Sequence, residues 1–314
     1  MLLLSMASLS LAHLTMGLAT GVPMLIFSRA CSLFMDIMPA TQMLMTDIVP
    51  ESDRGAALRK TVLPLSIGMI VAPTLGGTIA KYIGSQGTLM LTWMLPIVCI
   101  IAILTFIPAK TKVTAKPSGK KAGTNWGKVS EFLTQGDIPF LFIMRLLSTF
   151  PGMLFMMNWQ MAGVTYFKMT PQGNGMVVSC LGIMNMINNG FVLGWMSKKF
   201  SDNTLLRLAT VVSMFTFAAM SQTTEVWQLV MLLWPTNLSY SIMENQIMTR
   251  LTKSVASSET STMVGVGTAL FQLSRTLSPV CGGFLMRQYG WPGIGQAGAL
   301  VSSLMVAFTL AKSR

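Results

Sequence analysis

Five charged residues stand inside long apolar runs of this chain: Arg29, Asp36, Arg145, Glu244 and Arg275. A charge facing hydrocarbon costs several kcal/mol, so each is expected to face a partner, a polar interior or water. Arg29 and Asp36 are seven residues apart. On a helix that is about 20° around the axis and about 10.5 Å along it, so both share one face. Burial favours the neutral form of a carboxyl and a nearby arginine favours the ionised one. Held between the two, Asp36 can exchange a proton as a cation arrives or leaves; a permanent structural pair is the alternative. Glu244, the other acid within a run, can complete a cation site or pair with Arg250. Arg275, between Ser274 and Thr276, can neutralise Asp36 or Glu244, contact an anionic group of a solute, or act as a structural counter-ion. Arg145 lies five residues into its run and is expected to snorkel toward the interface. Asn158, Gln160 and Asn185, with Asn188 and Asn189, give two runs polar faces suited either to a small solute or to hydrogen bonds between helices.

Familiar catalytic patterns are missing. The chain has no GxxxxGK[ST] loop, HExxH pair or GxSxG elbow, which disfavours an ATP-driven pump or a common hydrolase. Cys31, Cys99, Cys180 and Cys281 fall in apolar runs without CxxC spacing, so they are expected to be buried thiols and not a disulfide framework or zinc site. We expect no enzymatic activity, no cofactor and no metal.

The elements that must position these residues follow from composition. Hydrophobic residues make up 52% of the chain, charged residues 10%, and mean hydropathy is +0.61; a soluble chain carries about a quarter charged residues. Crossing a hydrocarbon layer of about 30 Å takes roughly 20 apolar residues of helix. Long runs without strict alternation exclude a barrel, which leaves helices, because backbone polar groups must be satisfied inside the protein. Ten candidate spans follow, at about 2–20, 22–47, 58–82, 88–107, 140–164, 174–197, 204–222, 226–249, 262–286 and 292–311. The opening MLLLSMASLSLAHL lacks a basic flank and reads as a span rather than a signal peptide. His13 is expected to be packed on an apolar face. The sequon at Asn237 is mid-span. The 29 methionines suit adaptable packing.

The net charge of +12 is not a nucleic-acid signature, because the cations sit in short segments between apolar runs. Sixteen of the 22 lysines and arginines fall on one set of connections with the C-terminus, against Lys81, Lys168 and Arg287 on the other. That bias predicts both termini and the long linker on the cytoplasmic side of a multi-pass membrane protein. The domain reading is an incomplete N-terminal bundle of four spans over 1–108, a basic linker over 109–139, and a six-helix bundle over 140–314.

At an offset of 206 residues the chain repeats itself: Pro73, Gly76, Gly77 and Gly84 fall on Pro279, Gly282, Gly283 and Gly290. A repeat of about six spans suits a duplicated carrier half. Each proline removes a helical hydrogen bond, and the small residues admit a close neighbour, so these helices can be packing seams, sliding seams, or both.

These residues carry a specific resemblance. GMIVAPTLGG, with Gly68, Pro73, Gly76 and Gly77, resembles the antiporter signature GxxxGPxxGG of the major facilitator superfamily, with Ala72 replacing a glycine. TDIVPESDRGAAL, with Asp47 at the start of the connection and Asp53 and Arg54 near its end, resembles the cytoplasmic loop after the family's fourth helix, and LIFSRACS, with Arg29, its LxxxR motif. The lysine-rich linker and the ending SSETSTMVGVG…LSRTLSPVCGGFL are similar to organic-cation-transporter-like members. The resemblance implies an all-α polytopic fold of two pseudo-symmetric bundles, with these ten spans as family helices three to twelve. It implies a monomeric secondary carrier that exchanges small organic cations for protons by alternating access, with Asp36 or Glu244 as proton-sensitive carboxylates. The family's first two helices have no counterpart here, so a non-transporting membrane protein with an interaction or regulatory role stays open as the alternative.

Overall fold

The structure, a computed structural model, describes residues 2–35, 54–107, 136–256 and 259–311, together with 37, 40, 41, 44, 48, 49, 132 and 134; at 54–63, 261 and 311 it describes the backbone alone. All regular structure among the described residues is helical. The chain divides into two compact units. The first takes in α1 to α4 and the opening of α6, and the second takes in α5, the rest of α6 and everything after it.

In the first unit, α1 (Leu2–Gly17) packs against α2 (Val22–Cys31), α3 (Arg54–Thr92) and α4 (Met94–Phe106). The buried residues of α1 are Ser5, Ser8, Ser10, Thr15 and Gly17, whereas Leu3, Leu4 and Leu11 are exposed. This reverses the pattern of a soluble helix. Lipid is as apolar as leucine, so helices associate there through small residues and hydrogen bonds. Ser8 Oγ donates to the Cys31 carbonyl at 2.5 Å and Ser10 Oγ to the Trp93 carbonyl at 3.0 Å. On α4 the exposed stripe is Leu95, Val98, Ile101 and Leu104.

The second unit holds α5 (Ile138–Thr165), α6 (Pro171–Ile187) from residue 180 onward, a π-helical turn (Asn188–Val192), α7 (Leu193–Lys199), α8 (Asp202–Met220), α9 (Val226–Lys253) and α10 (Thr260–Ala311). Here α5 packs on α9 and α10, and α8 on the same two. One end is filled by Leu141, Met144, Leu206, Ile247 and Leu251. The other holds an aromatic group in which Trp291 meets Phe155 and Trp159 edge-on, with ring centroids 5.9 and 6.0 Å away. Trp291 Nε1 donates to Thr223 Oγ1 at 2.9 Å, giving a buried indole the acceptor it needs. Ser201 starts α8 by accepting from the Thr204 N–H, with Asp202 in the first turn, both favourable at a helix N-terminus.

Five described stretches are long and apolar enough to cross a membrane: Pro64–Phe106, Ile138–Thr165, Pro171–Lys199, Asp202–Met220 and Thr262–Leu310. The first and last have 43 and 49 residues, which laid straight would reach roughly 65–75 Å against a core of about 30 Å. Each therefore contains two crossings. The breaks are glycines with left-handed φ, Gly84 (φ 73°, ψ 171°) and Gly290 (φ 65°, ψ −158°), and they fall between the third and fourth and the ninth and tenth expected spans. The helix α9 is long enough to span but carries Asn237, Glu244 and Asn245. Polar groups of this kind face protein, not lipid, when they lie at membrane depth.

Candidate functional site

Arg145 on α5 and Glu244 on α9 form a two-pronged ion pair. Nη2 donates to Oε1 at 2.5 Å, and Nη1 lies 2.5 Å from Oε2. The second contact is close without hydrogen-bond alignment, so Nη1 and Oε2 keep unused bonding capacity. The Arg145 side chain is 4% exposed and that of Glu244 29%, although the Oε2 atom of Glu244 is itself buried. Arg145 Nε also donates to the Gly267 carbonyl of α10 at 3.4 Å. The expected snorkelling of Arg145 is thus corrected. Its face of α5 looks onto α9 and α10, where a carboxylate lies within reach. Pairing of Glu244 with Arg250 is corrected as well: six residues turn about 600°, which sets the two on different faces, and Arg250 Nη2 donates instead to Asn203 Oδ1 at 2.8 Å. Arg250 lies past the expected end of its span. Burial lowers its pKa and the nearby Asp202 opposes that shift.

One turn from Glu244 along α9 begins a small pocket of about 40 Å³, room for about one water, between Gly152 and Met156 of α5, Leu181 of α6, and Thr236, Asn237 and Tyr240 of α9. Gly152 is required there, because a Cβ would sit 2.7 Å from Tyr240 Cδ2. Asn237 Oδ1 accepts from Asn188 Nδ2 at 2.9 Å. Asn188 is fully buried at the start of the π-helical turn, and its Oδ1 has no hydrogen-bond partner among the described residues. Such turns loosen the helical ladder and recur at functional sites. Tyr240 and Asn237 are not among the site residues expected from the sequence, where Asn237 stands only as a mid-span sequon, although they lie four and seven residues before Glu244 and so share its face. The π-helical turn has no comparable sequence signal.

Asn158 is buried and donates to the Leu154 and Ser278 carbonyls at 2.8 and 3.2 Å, which makes it a link between α5 and α10. A Cβ on Gly282 would overlap its amide. Gln160 is exposed, and Asn185 is half-buried, accepting from Asn189 Nδ2 at 2.6 Å. Arg29 and Arg275 are exposed and have no hydrogen-bond or ion-pair partner for their guanidiniums among the described residues. Asp36, Asp47 and Asp53 lie outside the described residues, and Arg54 opens α3 with its backbone alone described. Among the seam glycines, Gly77 lies against neighbouring backbone: a Cβ there would overlap the Pro171 carbonyl oxygen, and one on Gly175, across from it, would overlap that of Pro73. Beside them Thr74 Oγ1 and Ser179 Oγ are 2.7 Å apart. Gly68, Gly76 and Gly283 have open space around them, while Pro73 and Pro279 sit within their helices. Among the described residues no group of His, Cys, Asp and Glu is arranged to hold a metal.

Comparison with known proteins decides the family. Residues 1–279 match the family described as the Major Facilitator Superfamily. The chain belongs to the Major Facilitator Superfamily. Facilitator relatives include human solute carrier family 67 member A1, 30% identical over 91% of this chain and 69% of the relative, and rat solute carrier family 22 member 18, 30% identical over 91% and 70%. The multi-drug resistance efflux pump PmrA of Streptococcus pneumoniae is 22% identical over 96% and 76%. Among solved structures, the nucleoside transporter NupG superposes with a TM-score of 0.73 at 13% identity, covering 99% of this chain and 82% of that one. A bacterial homolog of the human lysosomal transporter Spinster, inward-facing and unoccupied, gives 0.65 at 13% identity, covering 98% and 79%. The fold is therefore the all-α major facilitator fold, and the protein is an integral multi-pass membrane transporter of solutes, not an enzyme.

Proposed function

We propose that this chain is a secondary active transporter that exchanges small organic cations for protons by alternating access, working as a monomer with both termini in the cytoplasm. The observation that carries the reading is the Arg145–Glu244 pair, in which a partly exposed glutamate side chain is held against a buried guanidinium. Protonating Glu244, or drawing it to an arriving cation, removes the counter-charge of Arg145. Leaving a buried charge uncompensated costs about 3–5 kcal/mol, so occupancy of Glu244 is coupled to a rearrangement of α5 against α9. Asn237 and Tyr240 on the same face are suited to hydrogen-bond a solute, and the buried Asn188 Oδ1 has capacity for another donor. Asp36, Arg29 and Arg275 remain candidates for the same coupling, with Gln160 and Asn185 as cavity-polar candidates. The name of the PmrA relative, a multi-drug resistance efflux pump, supports a small organic substrate.

The test is uptake of a fluorescent lipophilic amine by proteoliposomes carrying the full chain. We expect accumulation to follow an imposed pH gradient and to disappear when an ionophore collapses it. Uptake indifferent to the gradient, or equal to that of empty liposomes, contradicts the proposal.

A further inference from the structure

The end of the second unit where α5 and α8 begin and α9 and α10 finish contains a separate pocket of about 360 Å³. Its apolar floor includes Leu141, Met144 and Ile247, and its polar rim is Asn203, Arg207 and Arg250. This is many times the space beside Tyr240, and no step proposed above uses it.

The rim carries excess positive charge. Arg250 uses one guanidinium nitrogen on Asn203, and Asp202 stands nearby with its Oδ1 accepting from Gln246 Nε2 at 3.2 Å. Arg207 is half-buried, and its guanidinium has no hydrogen-bond or ion-pair partner among the described residues. Asp137 and Asp202 belong to the same end, but neither lines the pocket. A guanidinium partly withdrawn from water without an anion is unfavourable, and its planar fork matches a phosphate with two parallel hydrogen bonds. The apolar floor beneath a cationic rim fits an amphiphile. Basic pockets between membrane helices accept anionic headgroups in this way. Lys198 and Lys199 at the end of α7, and Lys253 at the end of α9, raise the local concentration of anions around that end without lining the pocket.

We propose that this pocket binds a phosphate group, presented by an anionic phospholipid or by a free phosphate, with Arg207 and Arg250 as its clamp. The volume leaves room for the phosphate and the first atoms of a glycerol backbone.

The experiment is thermal unfolding of the full chain in neutral detergent, followed by tryptophan fluorescence, with three probes: inorganic phosphate, dioctanoyl phosphatidic acid and dioctanoyl phosphatidylcholine. A saturable rise in Tm with phosphatidic acid, and not with phosphatidylcholine, is expected if the source is a headgroup. A rise with inorganic phosphate as well identifies a free anion as sufficient. Arg207→Gln is expected to weaken the apparent affinity about tenfold or more. It should not lower the unliganded Tm, because its guanidinium gives up no hydrogen bond or ion pair to the described residues. Arg250→Lys keeps the charge, loses the fork and is expected to give a smaller loss. Lys253→Gln, at the same end but outside the pocket, should bind like the parent. No rise in Tm with phosphate or phosphatidic acid overturns the site, and so does an equal loss in Arg207→Gln and Lys253→Gln, which would mark diffuse surface charge.

Discussion

Gly84 and Gly290 stand 206 residues apart and interrupt their helices with nearly the same backbone, φ 73° and ψ 171° in one, φ 65° and ψ −158° in the other. Both lie in a region that residues with a Cβ enter at a cost of about 1–3 kcal/mol. Each ends one membrane crossing and begins another. Their correspondence carries the internal repeat from a pattern of letters into a shared bend at matching places in two units.

The first prediction follows from that bend. Gly84→Ala and Gly290→Ala should each destabilise the protein by about 1–3 kcal/mol through backbone strain, although a Cβ at Gly84 meets nothing within 4 Å. Gly68→Ala, equally unobstructed but inside regular helix, should be neutral or gain about 0.5–1 kcal/mol. Detergent-solubilised Tm values check the contrast, and equal behaviour of Gly84→Ala and Gly68→Ala would refute it.

A second prediction concerns the seam in the first unit. Gly77→Ala and Gly175→Ala force a Cβ into the carbonyl of Pro171 or of Pro73, and overpacking of this kind costs about 1–3 kcal/mol. Gly76→Ala has open space and should be tolerated. The measurement is the yield of folded protein in size-exclusion chromatography, with Gly77→Ala falling well below Gly76→Ala.

The ion pair supplies a third. Arg145→Met or Glu244→Met alone leaves a charge without its partner and should cost about 3–5 kcal/mol; the double substitution should recover most of that loss. A double-mutant cycle on thermal or denaturant unfolding reads the coupling. Additive losses would mean that the two side chains do not act as a pair.

Much of the fold was legible in the sequence, because the constraints that make it are coarse. Lipid demands helices of about 20 residues, and the glycines at 84 and 290 fall where helices must turn. The interior of the candidate site was harder to read. Periodicity says which face of α5 carries Arg145, but not which helix lies opposite, and distance from the end of the run suggested the interface instead of Glu244. Asn158 could be read as solute-facing or as a link between helices; it links α5 and α10 beside Gly282, and the choice depends on a missing Cβ on another element. Tyr240 and Asn237 were recoverable from their spacing to Glu244. Asn188 was not, since its burial depends on a local change of helix type.

A fourth prediction addresses orientation. If the bias of lysine and arginine sets topology, a protease site introduced into 109–139 should be cleaved in inside-out vesicles and protected in right-side-out ones. Cleavage in right-side-out vesicles alone would invert the assignment.

The most direct test of the central claim is proton movement driven by substrate. Proteoliposomes carrying the full chain and an internal pH indicator, preloaded with a lipophilic amine and diluted into amine-free buffer, should acidify inside as cation leaves and protons enter. Glu244→Gln should abolish that acidification. Amine efflux without a pH change in the parent protein, or acidification undiminished in Glu244→Gln, would contradict coupling through this carboxylate.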